Sequence, residues 1–494
     1  MANLKSLAKD TVIYGLSSIV GRFLNYLLVP LYTYKLVAAS GDYGIVTNLY
    51  SYTALMLVIL TFGMETAFFR FANKEEHDPQ RVYSTTLIAV GTVGIVFVAL
   101  VLLFLKPIAG AFHYADTPQY VGVMATCVAI DAFQCIPFAY LRYRKRPIKF
   151  ATLKLLFIFL NIALNLIYFC VIPALYTGPD CAVAPLLKAG GGVDVGYVFY
   201  INLLCTALIT FFFRRELTGF KWVCDKDILR KMLRYAWPIL ILGIAGILNQ
   251  TADKIIYPLV RGGQEGKVEL GIYGACVKVA MIMAMITQAF RYAYEPFVFG
   301  KSKDRDSKEM YAKAMKYFIV FTLLAFLIVM AYIDILQLIV GKDYREGMRV
   351  VPIVMAAEIM MGIYFNLSFW YKLTDRTIWG AVFSGIGCLV LIALNIWLIP
   401  RYHYMACAWA GFAGYGVAML LSYFVGQHYY PIAYPLKSIA VYVGLAAVLF
   451  GAMMLVPKNW NIWARLAVNT LIVALFAGHI AYHEFIRGKV KGER

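Results

Sequence analysis

The chain has 494 residues, 62% of them hydrophobic and only 15% charged, with a mean hydropathy of +0.71. That balance excludes an ordinary soluble domain and identifies a polytopic membrane protein. The formal net charge of +19 would suit nucleic-acid binding, but the lysines and arginines occupy short loops between apolar runs, which is a topology signal and not a binding face.

Apolar windows give about fourteen spans of membrane-crossing length. They lie near 11–34, 43–69, 83–105, 118–140, 150–172, 195–213, 236–259, 270–297, 312–333, 349–371, 378–399, 404–425, 435–456 and 461–485. Each is expected to be helical, because backbone in lipid must satisfy its own hydrogen bonds and no barrel-type alternation is present.

The first span, Thr11 to Tyr34, follows Lys5 and Lys9 and is too long for a signal-peptide core, so it reads as a retained helix. Arg22 stands in its middle. An arginine there costs at least ~2.5–3.5 kcal/mol, so it is expected to face a bundle interior, a partner or a wet cavity. At helical spacing Thr11, Ser18, Arg22 and Asn25 share one side, while Ile19, Phe23, Leu27 and Leu31 suit lipid.

In the second span Glu65 and Arg70, near one end, read either as a structural pair or as a gate. Asp131 in the fourth span, with Gln134 and Phe138 on its face, and Glu358 in the tenth, with Met361 and Phe365, are single acids. Each is suited to carry a proton or cation, or to balance Arg22 or Lys278. Asn161, Asn165 and Tyr168 on the fifth span suit interhelical hydrogen bonding. In the seventh, Asn249, Asp253 and Tyr257 share a face beside Gln250 and Lys254. Asp253 and Lys254 either neutralise one another or leave Lys254 for a ligand. In the eighth, Lys278, Met281, Met285, Gln288, Tyr292 and Glu295 recur at three-four spacing, with Lys278 expected to face a cavity.

Counting basic residues on alternate sides gives about thirty-one against about eleven, with Arg142 to Lys154, Arg214 to Arg234 and Lys301 to Lys316 on the richer side. Both termini are therefore expected in the cytoplasm, in a cell inner membrane. The Gly178–Gly196 loop is then expected outside.

The halves resemble each other. Tyr43-Gly44 precedes Glu65 by twenty-two residues, Tyr273-Gly274 precedes Glu295 by the same number, and Leu24-Asn25 answers Leu248-Asn249. Arg291 answers Arg70 at similar depth. Six spans per copy preserve direction, so a parallel repeat about the membrane normal is expected. The expected organisation is an all-α membrane protein with an N-lobe at 1–213, a cytoplasmic linker at 214–235, a C-lobe at 236–428, and two added helices with a tail at 429–494.

The nine cysteines are scattered without metal or redox spacing. Only Cys170 and Cys181, at one end of a span and in its following loop, are candidates for pairing. No nucleotide-binding glycine loop, catalytic carboxylate pair or metal-spaced histidine cluster occurs, so neither enzyme activity nor a cofactor or metal is expected.

Several stretches look like the polysaccharide flippase branch of the multidrug/oligosaccharidyl-lipid/polysaccharide exporter superfamily, which includes O-antigen flippases. Phe62-Gly63-Met64-Glu65-Thr66-Ala67-Phe68-Phe69-Arg70-Phe71 resembles its second-helix signature. Asn249-Gln250-Thr251-Ala252-Asp253-Lys254 resembles its seventh-helix segment. Tyr371-Lys372-Leu373-Thr374-Asp375-Arg376-Thr377 and Asn395-Ile396-Trp397-Leu398-Ile399-Pro400 resemble its tenth-to-eleventh connection and eleventh-helix end. The Gly-x-x-Gly-Ala-Ala that usually follows is degraded to His403-Tyr404-Met405-Ala406-Cys407-Ala408.

The resemblance implies fourteen helices in two lobes and alternating access that carries a polyprenyl-diphosphate-linked oligosaccharide from the inner to the outer leaflet. Arg22 resembles the first-helix arginine of the related lipid II flippases. Substrate contact is then expected from Arg22, Asn25, Asn249, Lys254, Lys278, Gln288 and Tyr292, with the polyprenyl tail left among membrane lipids. Gating or coupling to H+ or Na+ is expected from Glu65, Arg70, Asp131, Asp253, Arg291, Glu295 and Glu358. A cation-coupled multidrug antiporter on the same fold is the alternative, and the sign of the cavity discriminates between them.

Overall fold

A computed structural model describes residues 24, 26–74, 76, 78–218, 222–300, 307–374, 376–457 and 459–486, with backbone only at 292, 293, 295–297, 299, 300, 485 and 486. Arg22 and Asn25 lie outside the described residues, and so do the side chains of Tyr292 and Glu295.

Among the described residues all regular structure is helical, apart from one isolated bridge between Lys188 and Gly192. Among the described residues twelve helices are long and apolar enough to cross a membrane, and Gly196–Phe212 is a shorter apolar one. The chain is an all-helical polytopic membrane protein. It forms two compact units, Met1–Gly274 and Ala275–Arg494.

The first unit contains α1 (Leu28–Lys35), α2 (Asp42–Thr61), α3 (Met64–Ala72), α4 (Pro79–Leu103), α5 (Leu105–Ala111), α6 (Pro118–Tyr143), α7 (Pro147–Leu166), α8 (Gly196–Phe212) and α9 (Lys226–Val260). Proline opens α4, α6 and α7, where its missing N–H is no loss. The Asp78 carboxylate accepts from the Gln80 amide at 3.1 Å, and Asp225 accepts from the Asp227 and Ile228 amides at 3.0 and 3.1 Å. The Asp225 cap starts the seventh expected span at Lys226, so helix replaces much of the expected linker.

The second expected span is broken. Phe62 and Gly63 both adopt left-handed backbone, with φ of 50° and 68°, and separate α2 from α3. For Phe62 that conformation costs on the order of 1–2 kcal/mol. The break re-aims α3, so that Phe68 buries completely against Tyr83 at 6.0 Å between ring centroids. Tyr83 in turn stacks on Tyr140 at 4.2 Å.

The helix α10 (Gly263–Gly300) starts in the first unit. Its first turns lie against α2, and one glycine on each helix makes that approach possible. A Cβ on Gly44 would overlap the Lys267 carbonyl, and one on Gly274 would meet the Thr47 side chain.

The second unit contains α11 (Ser307–Ala331), α12 (Val351–Leu367), α13 (Ile378–Tyr402), α14 (Tyr404–Tyr429), α15 (Leu436–Leu455) and α16 (Ile462–Ile480). Gly387 and Gly414 allow α13 and α14 to cross closely, a Cβ on either one reaching 2.8 Å from the other's carbonyl oxygen. The last two helices pack on α11. Lys316 meets Glu484 at 2.5 Å, and the Tyr442 hydroxyl donates to Glu484 at 2.7 Å. All nine cysteines are free thiols, including Cys170 and Cys181.

Candidate functional site

The polar residues of α9 form a closed network. Lys254 Nζ lies 3.0 Å from both Asp253 oxygens and donates to the Gln250 carbonyl at 3.0 Å. The Tyr273 hydroxyl donates to Asp253 Oδ2 at 2.6 Å. Asn48 Nδ2 donates to the Lys254 carbonyl at 2.7 Å, and Tyr114 donates to Asn48 Oδ1 at 2.7 Å. Burial pushes the Tyr114 phenol up from its ordinary range, which keeps it a donor. Of the two readings open for Lys254, neutralisation by Asp253 is the geometry adopted. Asn249 is buried, and its side-chain amide donates to the Ala245 carbonyl at 3.0 Å.

Glu65 and Arg70 do not pair with each other. Five residues apart, they differ by ~140° around a helix and share no face. Glu65 instead forms a salt bridge with Arg142 of α6 and accepts from the Cys135 thiol at 3.1 Å. Arg70 lies over the Tyr235 ring at 4.1 Å, a cation–π contact. Arg291, like Arg70, rests on an aromatic ring, lying over Phe365 at 4.8 Å.

Asp131 sits midway along α6. The Thr206 hydroxyl donates to its Oδ1 at 3.3 Å, and the Cys127 thiol reaches Oδ2 at 3.9 Å. Gln134 bonds to the same helix, α8, donating to the Thr206 carbonyl and Thr210 hydroxyl at 2.7 and 2.8 Å. Asp131, Cys135, Phe138 and Arg142 fall within ~60° of one another and form one stripe on α6.

Lys154 faces that stripe. The basic-residue count places it with the loop charges, yet it lies ~10 Å into α7 from Pro147. Its ammonium is 4.1 Å from the Phe138 ring centroid and within electrostatic reach of Asp131 and Arg142. Four groups of opposite charge, Asp131, Lys154, Glu65 and Arg142, thus line one seam drawn from α3, α6 and α7. Arg142, Lys154 and Tyr235 escaped the sequence reading, and only Lys154 left a signal there. It shares a helical face with Asn161 and Asn165.

A cavity of about 280 Å³ opens elsewhere in this unit, lined by Leu49, Tyr52, Met56, Phe97, Phe112 and Met124 among others. Its wall carries no charged group, so it is unsuited to an ionic headgroup.

In the second unit Lys278, Gln288 and Glu358 are half-buried, and each has a bonding or electrostatic partner. Lys278 stands in α10 and Glu358 in α12.

Comparison with solved structures places this fold. The structure is similar to a lipid II flippase MurJ in an inward closed conformation, with a TM-score of 0.73, 14% identity, and coverage of 96% of this chain and 100% of that one. It is also similar to an inward-facing multidrug resistance MATE family transporter of the MOP superfamily, with a TM-score of 0.60, 14% identity, and coverage of 85% and 97%. A MATE protein in complex with MaD3S gives a TM-score of 0.53 at 15% identity, with coverage of 86% and 95%. No curated protein sequence matches. The profile described as "Polysaccharide biosynthesis protein" matches residues 7–293, more than half of the sequence, and this chain belongs to the polysaccharide biosynthesis protein family.

Proposed function

We propose that this protein is a flippase that moves a polyprenyl-diphosphate-linked oligosaccharide from the inner to the outer leaflet of the cell inner membrane, for surface polysaccharide synthesis. The family match over residues 7–293, on a chain that resembles a flippase along 96% of its length, is the observation that carries this function.

Fourteen helices fit it. The twelve crossing helices and Gly196–Phe212 make thirteen, and the first span expected from the sequence supplies the fourteenth. Residues 1–213 and 236–428 make up two six-helix lobes of a parallel repeat, and helices thirteen and fourteen are an addition. The excess of basic residues puts both termini in the cytoplasm.

Arg22 and Lys278 hold the diphosphate, the guanidinium through forked donors and the ammonium as a point charge. Asn25, Asn249, Gln288 and Tyr292 line the path of the sugars, and the tail stays in lipid. Lys254 contributes only when Asp253 releases it, so this pair acts as a latch beside the path. Glu65 with Arg142, and Arg70 and Arg291 on their aromatic rings, are contacts able to part and reform between states, with Glu295 as the counterpart of Glu65. Asp131 and Glu358 are placed to carry a coupling H+ or Na+.

A multidrug antiporter on this fold would need an acidic or aromatic cavity for cationic drugs, whereas Arg22, Lys154 and Lys278 favour an anion. Translocation of a labelled lipid-linked oligosaccharide by Arg22→Ala and Lys278→Ala proteins tests the assignment. Each substitution is expected to reduce transport at least tenfold, and undiminished transport in both contradicts it.

A further inference from the structure

We propose that Lys154 is a further anion-binding residue, with Asp131 as the counter-charge it leaves when a diphosphate headgroup arrives. This rests on the flippase function and names a contact for its substrate.

The helical phase of α7 is the first observation. Lys154 lies within ~40° of Phe150, Ile158, Asn161 and Asn165, the face that packs into the unit. The residues turned outward, Ile148, Leu155, Phe159 and Leu166, are more than ~100° away and expose large apolar side chains, as a lipid-facing surface does. A lysine on the inward face would ordinarily be buried. Lys154 is instead exposed, and its ammonium is turned to the Phe138 ring of α6 rather than to the outward apolar face.

The second observation is what surrounds the ammonium. Arg142, Lys149 and Lys254 each have a carboxylate in direct contact. Among the described residues, no carboxylate oxygen lies within 4.0 Å of Lys154. Asp131 acts on it only through space, while its own oxygens are engaged by Thr206 and Cys127. The ring of Phe138 supports the charge without consuming its donors. A cation that is neutralised at a distance and keeps its three N–H donors can donate to a phosphate oxygen without first breaking a close ion pair. Arg142, on the same stripe, adds positive potential to the approach.

A lysine held only for structure and a lysine that grips substrate give opposite signatures when Asp131 is neutralised. Loss of either partner weakens a structural pair, so Asp131→Asn and Lys154→Gln would then change binding in the same direction. If the ammonium binds substrate, Asp131→Asn removes its competitor and tightens binding.

The experiment measures binding of farnesyl diphosphate, a diphosphate with a short prenyl tail, to the purified full chain, together with the KM for lipid-linked oligosaccharide in proteoliposomes. Lys154→Gln is expected to weaken both by about tenfold, the size of a lost charge-assisted hydrogen bond. Lys154→Arg is expected to stay close to wild type, and Asp131→Asn to bind a few-fold more tightly. Unchanged values for Lys154→Gln, or equal losses in Lys154→Gln and Asp131→Asn, overturn the site. Wild-type translocation without farnesyl diphosphate binding also overturns it and leaves the flippase function standing. Binding that depends on Lys154, in a chain that translocates no lipid-linked oligosaccharide, supports the anion site and overturns the flippase function.

Discussion

At the scale of single residues, the decisive pattern is which charges meet. Glu65 and Arg142 are each about one third exposed, with side-chain values of 37% and 35%, so their bridge is a modest contributor and more useful as a reversible contact than as a clamp. A double-mutant cycle with Glu65→Gln and Arg142→Met is expected to give a coupling of about 0.5–1 kcal/mol in thermal unfolding in detergent. The same cycle with Glu65→Gln and Arg70→Met should be additive within about 0.5 kcal/mol, and strong coupling there would contradict the pairing described. Asp253 is different, because it holds both Lys254 and Tyr273 in a mostly buried setting. Asp253→Ala should cost on the order of 3 kcal/mol by leaving an ammonium without its partner, and adding Lys254→Ala should recover part of that loss.

At the scale of helices, glycine decides where two can touch. The Gly44 and Gly274 contacts bring α2 against the start of α10, and neither has room for a Cβ. Gly274→Leu is therefore expected to destabilise the protein by about 1–3 kcal/mol, read as a lowered Tm. Gly246 on α9 has no other atom within 4 Å of its would-be Cβ, so Gly246→Ala should be neutral or stabilising by up to about 1 kcal/mol. The span positions were legible because length and hydropathy are local properties of the chain. The Tyr-Gly pairs at 43–44 and 273–274 stood out in the sequence, but the close helix approach their glycines allow needed the partner helix to be seen. The break at Phe62 was not legible, because a phenylalanine in left-handed backbone is contrary to its own preference and is imposed by packing. The partners of Glu65 were hidden for a related reason. Arg142 is far away in sequence, and a nearby opposite charge offered a simpler pairing that helical phase forbids. Lys154 was passed over because it stands next to a loop rich in basic residues and was counted with them, although its phase already set it with Asn161 and Asn165.

At the scale of the whole molecule, family and fold agree on a membrane protein of polysaccharide biosynthesis built like flippases and multidrug transporters. The proposed cargo is an anion and that of the alternative reading a cation, so the sign of the charge within the spans carries the choice between the two. Lys154 and Lys278 stand within crossing helices, and Arg22 is placed by the sequence in the first span. An anionic headgroup suits them and a cationic drug does not. The most direct measurement reconstitutes the full chain in liposomes with a fluorescent polyprenyl-diphosphate oligosaccharide and follows its arrival in the opposite leaflet. A flippase gives transfer well above protein-free vesicles, and transfer falls at least tenfold in Arg22→Ala and Lys278→Ala. Transfer equal to that of empty vesicles, accompanied by cation-driven uptake of a cationic drug, contradicts the assignment.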